Sequence, residues 1–370
     1  MKEQLVQVID KKDLQVLILT DGYNIHHLSG YRGHTGMLVA FQGEQYILTD
    51  SRYTEQVELE APKFTCVDIG REGYSKTIAG MLQKAFAKEG RSTLRIGFEN
   101  KEISYMQYQA LVDTFAKELT GMQVEFVPLE DAVNVYREVK TEDEIAKLAR
   151  AEQIGDEAFT EIVKFIHENW KDGLTEQRVA MQLEYEMRLR GAEGTSFDTI
   201  AASGSNSSLP HAMPQPKLLT EGDFLTMDFG CMYQGYCSDM TRTIHIGEVV
   251  EPEQKKVYDT VLQAQLAALS VVKPGMVCSE VDKVARDMIA EAGYGAYFGH
   301  GLGHSVGLFI HEEPRFSMKC DAVLKPGVVI TVEPGIYLPG RFGVRIEDMI
   351  VVTEDGYRNL ASSPKELICV

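Results

Sequence analysis

The chain has 370 residues, with 37 basic and 55 acidic side chains for a formal charge of −18, and is 44% apolar and 25% charged. These are the proportions of a globular protein of two, at most three, domains, and they exclude a collagen, a disordered tail or a polar low-complexity array. So acidic a chain is poorly suited to bare phosphate backbones or anionic membranes, so neither nucleic acid nor membrane is expected as a partner, whereas carboxylate-rich pockets attract cations. The cysteines (Cys66, Cys231, Cys237, Cys278, Cys320 and Cys369) form no CxxC pair and are too sparse for a disulfide framework. The residues from Met1 to Leu5 lack the long apolar stretch of a signal peptide, and no run approaches the roughly 20 apolar residues that span a bilayer. A soluble, cytoplasmic protein is the expectation.

Residues 1–135 alternate short strands (Leu14 to Leu19, Met37 to Phe41, Gln45 to Leu48, Leu94 to Phe98) with helical spacing over Tyr74 to Lys88 and Ile103 to Leu119. This predicts a small α/β domain. A boundary near Tyr136 to Lys140 begins a second domain, 136–370. Thr141 and Glu144 form a capping box, and Ile145, Leu148, Ile154, Ala158, Ile162 and Phe165 mark the long amphipathic helix that follows.

The second domain resembles itself. Lys171-Asp172-Gly173 precede a helix over Val179 to Leu189 that Gly191 ends, and Lys273-Pro274-Gly275 precede one over Val281 to Ala290 that Gly293 ends. The stretch from Leu219 to Gly230 aligns with Leu324 to Gly335 at a constant offset of 105, too long for a solenoid unit. The expected fold class is α+β, with two helix–helix–strand units related by a pseudo-twofold about one central site. The alignment sets Asp228 on Glu333, so each half offers a carboxylate from an equivalent strand.

Those acids sit where strands should be apolar. Asp228 interrupts Phe224 to Phe229, and Asp239 lies on the next predicted strand, nearly opposite, across a turn near Tyr233-Gln234-Gly235. Alone, each reads as a turn cap or a solvent-facing Asp. Like charges facing each other on a buried hairpin need something positive between them. Glu333 ends the strand Val328 to Val332, and Glu347 falls on an alternating stretch from Val344 to Ile350, on the same face as Arg345. His304 lies in the glycine-rich run from Gly299 to Gly307, whose spacing departs from G-x-G-x-x-G and instead lets backbone fold closely around a site. His311-Glu312-Glu313-Pro314 lacks the second His of H-E-x-x-H. Two Asp, two Glu and one His without thiolates form a hard ligand set that disfavours structural zinc. It suits two divalent ions, Mn²⁺ first, with Co²⁺, Fe²⁺ or Zn²⁺ as alternatives.

In order, Met227-Asp228-Phe229-Gly230, Ser238-Asp239-Met240-Thr241-Arg242-Thr243, Gly303-His304-Ser305-Val306-Gly307, Val332-Glu333-Pro334-Gly335 and Arg345-Ile346-Glu347-Asp348 resemble the motifs of the pita-bread metallopeptidases. Thr49-Asp50-Ser51-Arg52-Tyr53 is similar to a stretch of bacterial aminopeptidase P-type proteins, so the resemblance spans nearly the whole chain and points to the Xaa-Pro group, aminopeptidase P and prolidase. It implies a creatinase/prolidase-like N-terminal domain and a pita-bread catalytic domain. It also implies a dinuclear centre held by Asp228, Asp239, His304, Glu333 and Glu347, with Asp239 and Glu347 bridging, Glu333 also shuttling the proton from the bridging water, and hydrolysis by a metal-bridging hydroxide. His211 and His311 match histidines that contact substrate and stabilise the tetrahedral intermediate, and His300 is a further pocket candidate. Proline-containing peptides are the implied partners and a homodimer the implied assembly. A dipeptidase must also recognise a free proline carboxylate, for which Arg315 or Arg345 could serve. The N-terminal stretch tilts the expectation toward aminopeptidase P, with prolidase as the alternative. Metal-free creatinase-like hydrolysis, a non-catalytic binding protein and methionine aminopeptidase fit less well, because all five ligands are present and the N-terminal domain is large.

Overall fold

The computed structural model describes residues 2–86 and 91–370, and the last two residues of the predicted helix over Tyr74 to Lys88 lie outside them. The chain forms two compact units, Met1–Arg137 and Glu138–Val370.

In the first unit, strands β1 (Val16–Leu19), β2 (Met37–Phe41), β3 (Glu44–Thr49), β4 (Thr65–Asp68), β5 (Thr93–Phe98) and β6 (Gln123–Pro128) form one sheet in the order β4-β3-β2-β1-β5-β6. Because β1 is buried on both faces, its sequence is an unbroken apolar run rather than an alternation. Leu17 and Leu19 pack with α1 (Glu3–Lys12), α2 (Gly22–Ser29) and α3 (Thr54–Glu60), whereas Val16 and Ile18 pack with α4 (Gly73–Phe86) and α5 (Tyr105–Glu118). A short helix, α6 (Val135–Glu138), follows.

The second unit opens with α7 (Glu142–Asn169), whose Thr141–Glu144 capping box is formed, and continues into α8 (Glu176–Leu189). Next come β7 (Gly194–Thr195), β8 (Ile200–Ser203), β9 (Phe224–Phe229), β10 (Cys231–Tyr233), β11 (Tyr236–Cys237) and β12 (Met240–His245). The second half supplies α9 (Pro252–Val271), α10 (Cys278–Glu291), β13 (Gly303–Ser305), β14 (Glu312–Phe316), β15 (Val329–Val332), β16 (Gly335–Leu338), β17 (Phe342–Arg345), β18 (Asp348–Val352) and β19 (Tyr357–Asn359). The repeat is visible in the sheets: β9 lies between β8 and β12, as β15 lies between β13 and β18. Each sheet buries one face against its own helix pair. Leu225, Met227 and Phe229 pack on Ile154, Ile162 and Leu183, while Ile330 and Val332 pack on Val261, Val281 and Ile289. Period-two alternation then turns Asp228 away from the helices, and Glu333, one residue past β15, continues the face opposite Val332.

Two acids sit differently from the sequence reading. The β10–β11 hairpin intervenes after β9, so Asp239 precedes β12 instead of lying within it, and Asp228 pairs with Thr241. This junction is tight: a Cβ on Gly230 would lie 1.8 Å from the Ser238 carbonyl oxygen, so only glycine fits. Glu347 is not on a continuous strand either. The chain leaves the β16–β17 pair at Arg345, and Ile346 and Glu347 form a break before β18.

The buried Arg242 side chain holds that break. Its guanidinium donates to the carbonyl oxygens of Thr241, Glu347, Ser363 and Pro364 and to Asp348 Oδ1, at 2.8 Å for the last. Arg242→Met leaves Asp348 Oδ1 and several carbonyls without their donor in a dry interior, while Lys365, Gln265 and Asn359 still hold Asp348 Oδ2, and should lower unfolding free energy by about 3–5 kcal/mol in urea titrations. A loss below 1 kcal/mol would contradict this role.

Candidate active site

The acids converge on one cavity of about 540 Å³, lined among others by Asp228, Asp239, His304, Glu333 and Glu347, and also by His211, His300, His311, Arg315 and Arg345. The structure therefore brings together every side chain singled out in the sequence. Their surroundings differ.

Asp239, His304 and Glu347 are buried, with one ligand atom from each lying within 4.8 Å of the others. His304 Nε2 lies 3.4 Å from Asp239 Oδ2 and 3.5 Å from Glu333 Oε1. Its Nδ1 is 3.2 Å from the Ser305 carbonyl oxygen, which can only accept, so Nδ1 carries the proton and Nε2 presents a lone pair to the carboxylates. Burial and the neighbouring His311 press the His304 pKa down to about 3, so the ring is neutral. A lone pair facing two acids is repulsive unless a cation lies between them.

The acids are likewise under-compensated. Burial, reinforced by Glu347, Asp228 and Glu333, holds the Asp239 carboxyl well above the usual carboxylate range. Burial, with Glu333 and Asp228, does the same to Glu347. Burial also pushes Glu333 up to about 8, against the attraction of Arg345. Asp228 Oδ1 and Glu347 Oε1 are buried without a hydrogen-bond partner among the described residues. Orphaned anionic oxygens beside an imidazole lone pair are the donor set that a hard or borderline divalent cation takes. The residues fit the metal site that the sequence implied.

Arg345 is built into the framework. Its Nη2 donates to Asp228 Oδ2 at 2.6 Å, its Nε to Thr241 Oγ1, and its Nη1 to Tyr337 Oη and the Pro210 carbonyl. Thr241 Oγ1 in turn donates to Glu347 Oε2 at 2.6 Å. His300 lines the cavity with both ring nitrogens engaged: Nδ1 donates to the Gly301 carbonyl and Nε2 accepts from Tyr337 Oη at 2.9 Å. Burial, with Arg345 second, lowers the His300 pKa to about 4. Arg315 is half-exposed, with Nε 3.1 Å from Glu313 Oε1. His311 precedes β14 with its ring centroid 4.5 Å from that of His304, and burial followed by Arg315 lowers its pKa. His211 sits on the exposed stretch after β8.

Sequence reasoning left several supporting groups unread. Thr241 lies in the Ser238–Thr243 motif, with nothing in the sequence to mark it as the link between Arg345 and Glu347. Tyr337 and Lys140 carried no signal. Buried Lys140 Nζ meets Glu312 Oε2 at 3.1 Å and Ser305 Oγ at 3.3 Å, bracing the neighbours of both His304 and His311. The glycines do what their density suggested, since a Cβ on Gly303 would lie 2.0 Å from the Thr331 carbonyl oxygen.

The match to known proteins covers both units. Residues 146–354 match the model of metallopeptidase family M24, and residues 2–139 match that of the creatinase/prolidase N-terminal domain. The chain belongs to metallopeptidase family M24. Enzymes of this family use divalent metals, in keeping with the acid cluster. Among solved structures, an Xaa-Pro dipeptidase from Bacillus anthracis is 39% identical at a TM-score of 0.89, over 100% of this chain and 98% of that one. An X-Pro aminopeptidase from Thermotoga maritima is 35% identical at a TM-score of 0.85, over 98% and 100%. An Xaa-Pro dipeptidase of Pyrococcus furiosus is 37% identical over 366 residues, 99% of each chain. No described helix is long and apolar enough to cross a membrane.

The raised carboxyl pKa values fix a sign. A carboxyl whose folded pKa lies above its unfolded value contributes stability that is complete below the unfolded pKa and lost as pH climbs through the folded one. For Glu333 that window runs from 4.5 to about 8. Metal-free protein should therefore lose thermal stability between those pH values, and saturating Mn²⁺ should abolish the loss. Glu347→Gln should raise the metal-free Tm at pH 8 and remove most of the Mn²⁺-induced shift. Scanning calorimetry reads both, and a metal-free Tm that rises steadily with pH would contradict the account.

Proposed function

We propose that this M24 enzyme is an Xaa-Pro dipeptidase, hydrolysing the bond between an N-terminal residue and a C-terminal proline. The observation that carries the reading is the pairing, in one cavity, of an under-compensated acid cluster with a half-exposed cation, Arg315. The dipeptidase relatives support the terminal-proline substrate. The aminopeptidase P expectation from the N-terminal stretch becomes the second reading, favoured by the Thermotoga maritima neighbour.

Asp228, Asp239, His304, Glu333 and Glu347 would hold two divalent cations, Mn²⁺ being the first choice. The chemistry that such cations supply when bound is Lewis-acid polarisation of the scissile carbonyl and acidification of water. The remaining work falls to the chain. An Xaa-Pro bond has no amide hydrogen on its nitrogen, so a peptidase cannot grip it there and must position the substrate by its ring and its termini. Arg315, turned from Glu313, receives the proline carboxylate through charge-assisted hydrogen bonds. His211 and His311 offer N–H donors to the oxygen that becomes anionic as the carbonyl carbon turns tetrahedral. Glu333 accepts a proton from the attacking water and delivers it to the departing prolyl nitrogen. Arg345 stays with Asp228 and fixes that carboxylate's orientation, and His300, closed off by Gly301 and Tyr337, shapes the wall.

Two experiments test this. With added Mn²⁺, purified protein should turn over Xaa-Pro at least tenfold faster than Xaa-Pro-Xaa. Arg315→Met should raise KM for Xaa-Pro by about 10–100-fold, the loss of one charge-assisted contact, with a far smaller effect on an Xaa-Pro amide. Equal or faster cleavage of the tripeptide returns the assignment to aminopeptidase P. In the second, His311→Ala should lower kcat by about 10²-fold with metal content retained, and loss of bound metal in step with activity would contradict the role given to His311.

A further inference from the structure

The stretch that carries His211 has little apolar anchoring. Between β8 and Leu219 it contains Pro210, Pro214 and Pro216, and its large apolar side chains, Leu209, Met213 and Leu218, are 58%, 70% and 55% exposed. Of its apolar side chains only Ala212 is buried, against Ile200 and Ala202. Packing of this kind does not hold an imidazole to within a fraction of an ångström. Ser207 and Ser208 accept from Gly343 N and Gly340 N early in the stretch, but it is one carboxylate that ties the chain before His211 to the chain after it. Glu176, in the first turn of α8, has a relative exposure of 0%. Its Oε1 accepts from Ser203 N at 2.6 Å and Ser203 Oγ at 2.7 Å, and its Oε2 from Asn206 Nδ2 at 2.7 Å and Gln215 N at 2.9 Å. Ser203 and Asn206 lie before His211 and Gln215 lies after it, so both ends of the stretch are tied to the same two oxygens. Asn206 Nδ2 also reaches the Met213 carbonyl, and the Pro210 carbonyl accepts from Arg345, which ties the stretch to the framework of Asp228.

The geometry points to Glu176 as the positioning residue for His211: a buried four-donor clasp that sets the imidazole over the acid cluster without touching substrate. The inference rests on the substrate-contacting role given to His211 in the proposed function. Only a carboxylate fills the place, because all four groups facing it are donors and it is acceptor-only. Glu176→Gln keeps the shape but replaces one acceptor oxygen with an NH₂ group, so that either Ser203 N or Gln215 N loses its acceptor.

The test is a double-mutant cycle on the Mn²⁺-loaded full chain with an Xaa-Pro substrate, using E176Q, H211A and both together. E176Q should lower kcat/KM by about 10–100-fold, the scale of a sub-ångström misplacement, with metal content unchanged. In the H211A background the same substitution should cost less than about 2-fold, because the group it positions is gone. Hydrogen exchange supplies a readout independent of turnover: amides of residues 205–215 should exchange at least about tenfold faster in E176Q, with β9 and β12 unchanged. Equal fold-losses in both backgrounds, loss of metal in E176Q, or unaltered exchange in 205–215 each overturn the proposal. An H211A enzyme as fast as the parent would instead remove His211 from the functional reading, and this proposal with it. Should E176Q fail to fold, N206A removes a single donor from Oε2 and carries the same cycle with the same expected loss of coupling.

Discussion

Four carboxyl groups around a single imidazole, removed from water and facing one another, are the constraint on which the second unit is built. Uncompensated, such a cluster costs several kcal/mol per ion, and the raised proton affinities of Asp239, Glu333 and Glu347 are that cost expressed as a preference for the neutral form. Of the two arginines lining the cavity, the buried one, Arg345, is committed to Asp228, and Arg315 is half-exposed beside Glu313. The remainder of the charge is left for divalent ions. Stability is thereby exchanged for a site able to do chemistry, and the surrounding framework is correspondingly stiff. Arg242 clamps the break that carries Glu347, Lys140 and Glu312 brace the segment that carries His304 and His311, and Thr241 links Arg345 to Glu347.

The pseudo-symmetric architecture explains how an acid cluster is assembled at all. Each half packs one sheet face against two helices, and alternation along the central strand points the next side chain to the other face. Doubling the unit brings Asp228 from one half and Glu333 from the other to a common centre. Neither half alone holds enough ligands for such a centre. The breaks in β-structure before Asp239 and at Glu347 let the other two acids leave their sheets and turn inward, which a continuous strand would forbid.

Much of this was legible in the chain. An acid inside an apolar strand is a strong signal because burial makes it costly, and the offset of 105 doubled that signal. Strands β1 and β2 and the capping box of α7 were readable from apolar runs and from Thr141 with Glu144. Strand β6 was not: its residues alternate between exposed and half-buried at the sheet edge, so no apolar run announces it. The hairpin of β10 and β11 shows in sequence only as the turn near Tyr233-Gln234-Gly235, since strands of two or three residues carry no period. Arg345 and His300 illustrate another limit. Residue type places a cation and an imidazole near the cavity, and only tertiary contacts reveal that Tyr337, Thr241 and Asp228 occupy them. Glu176 and Lys140 are silent in sequence for the same reason, as a buried carboxylate or ammonium is recognised by partners that are remote along the chain.

The central claim is that these five side chains exist to gather divalent cations. The most direct measurement is anomalous X-ray diffraction at the manganese edge from crystals grown with Mn²⁺. The account predicts two anomalous peaks inside the cavity, within bonding distance of Asp228, Asp239, His304, Glu333 and Glu347, with Arg345 still on Asp228. A cavity devoid of anomalous signal at saturating Mn²⁺, with the carboxyl groups hydrogen-bonded to one another or to Arg345 instead, would contradict it.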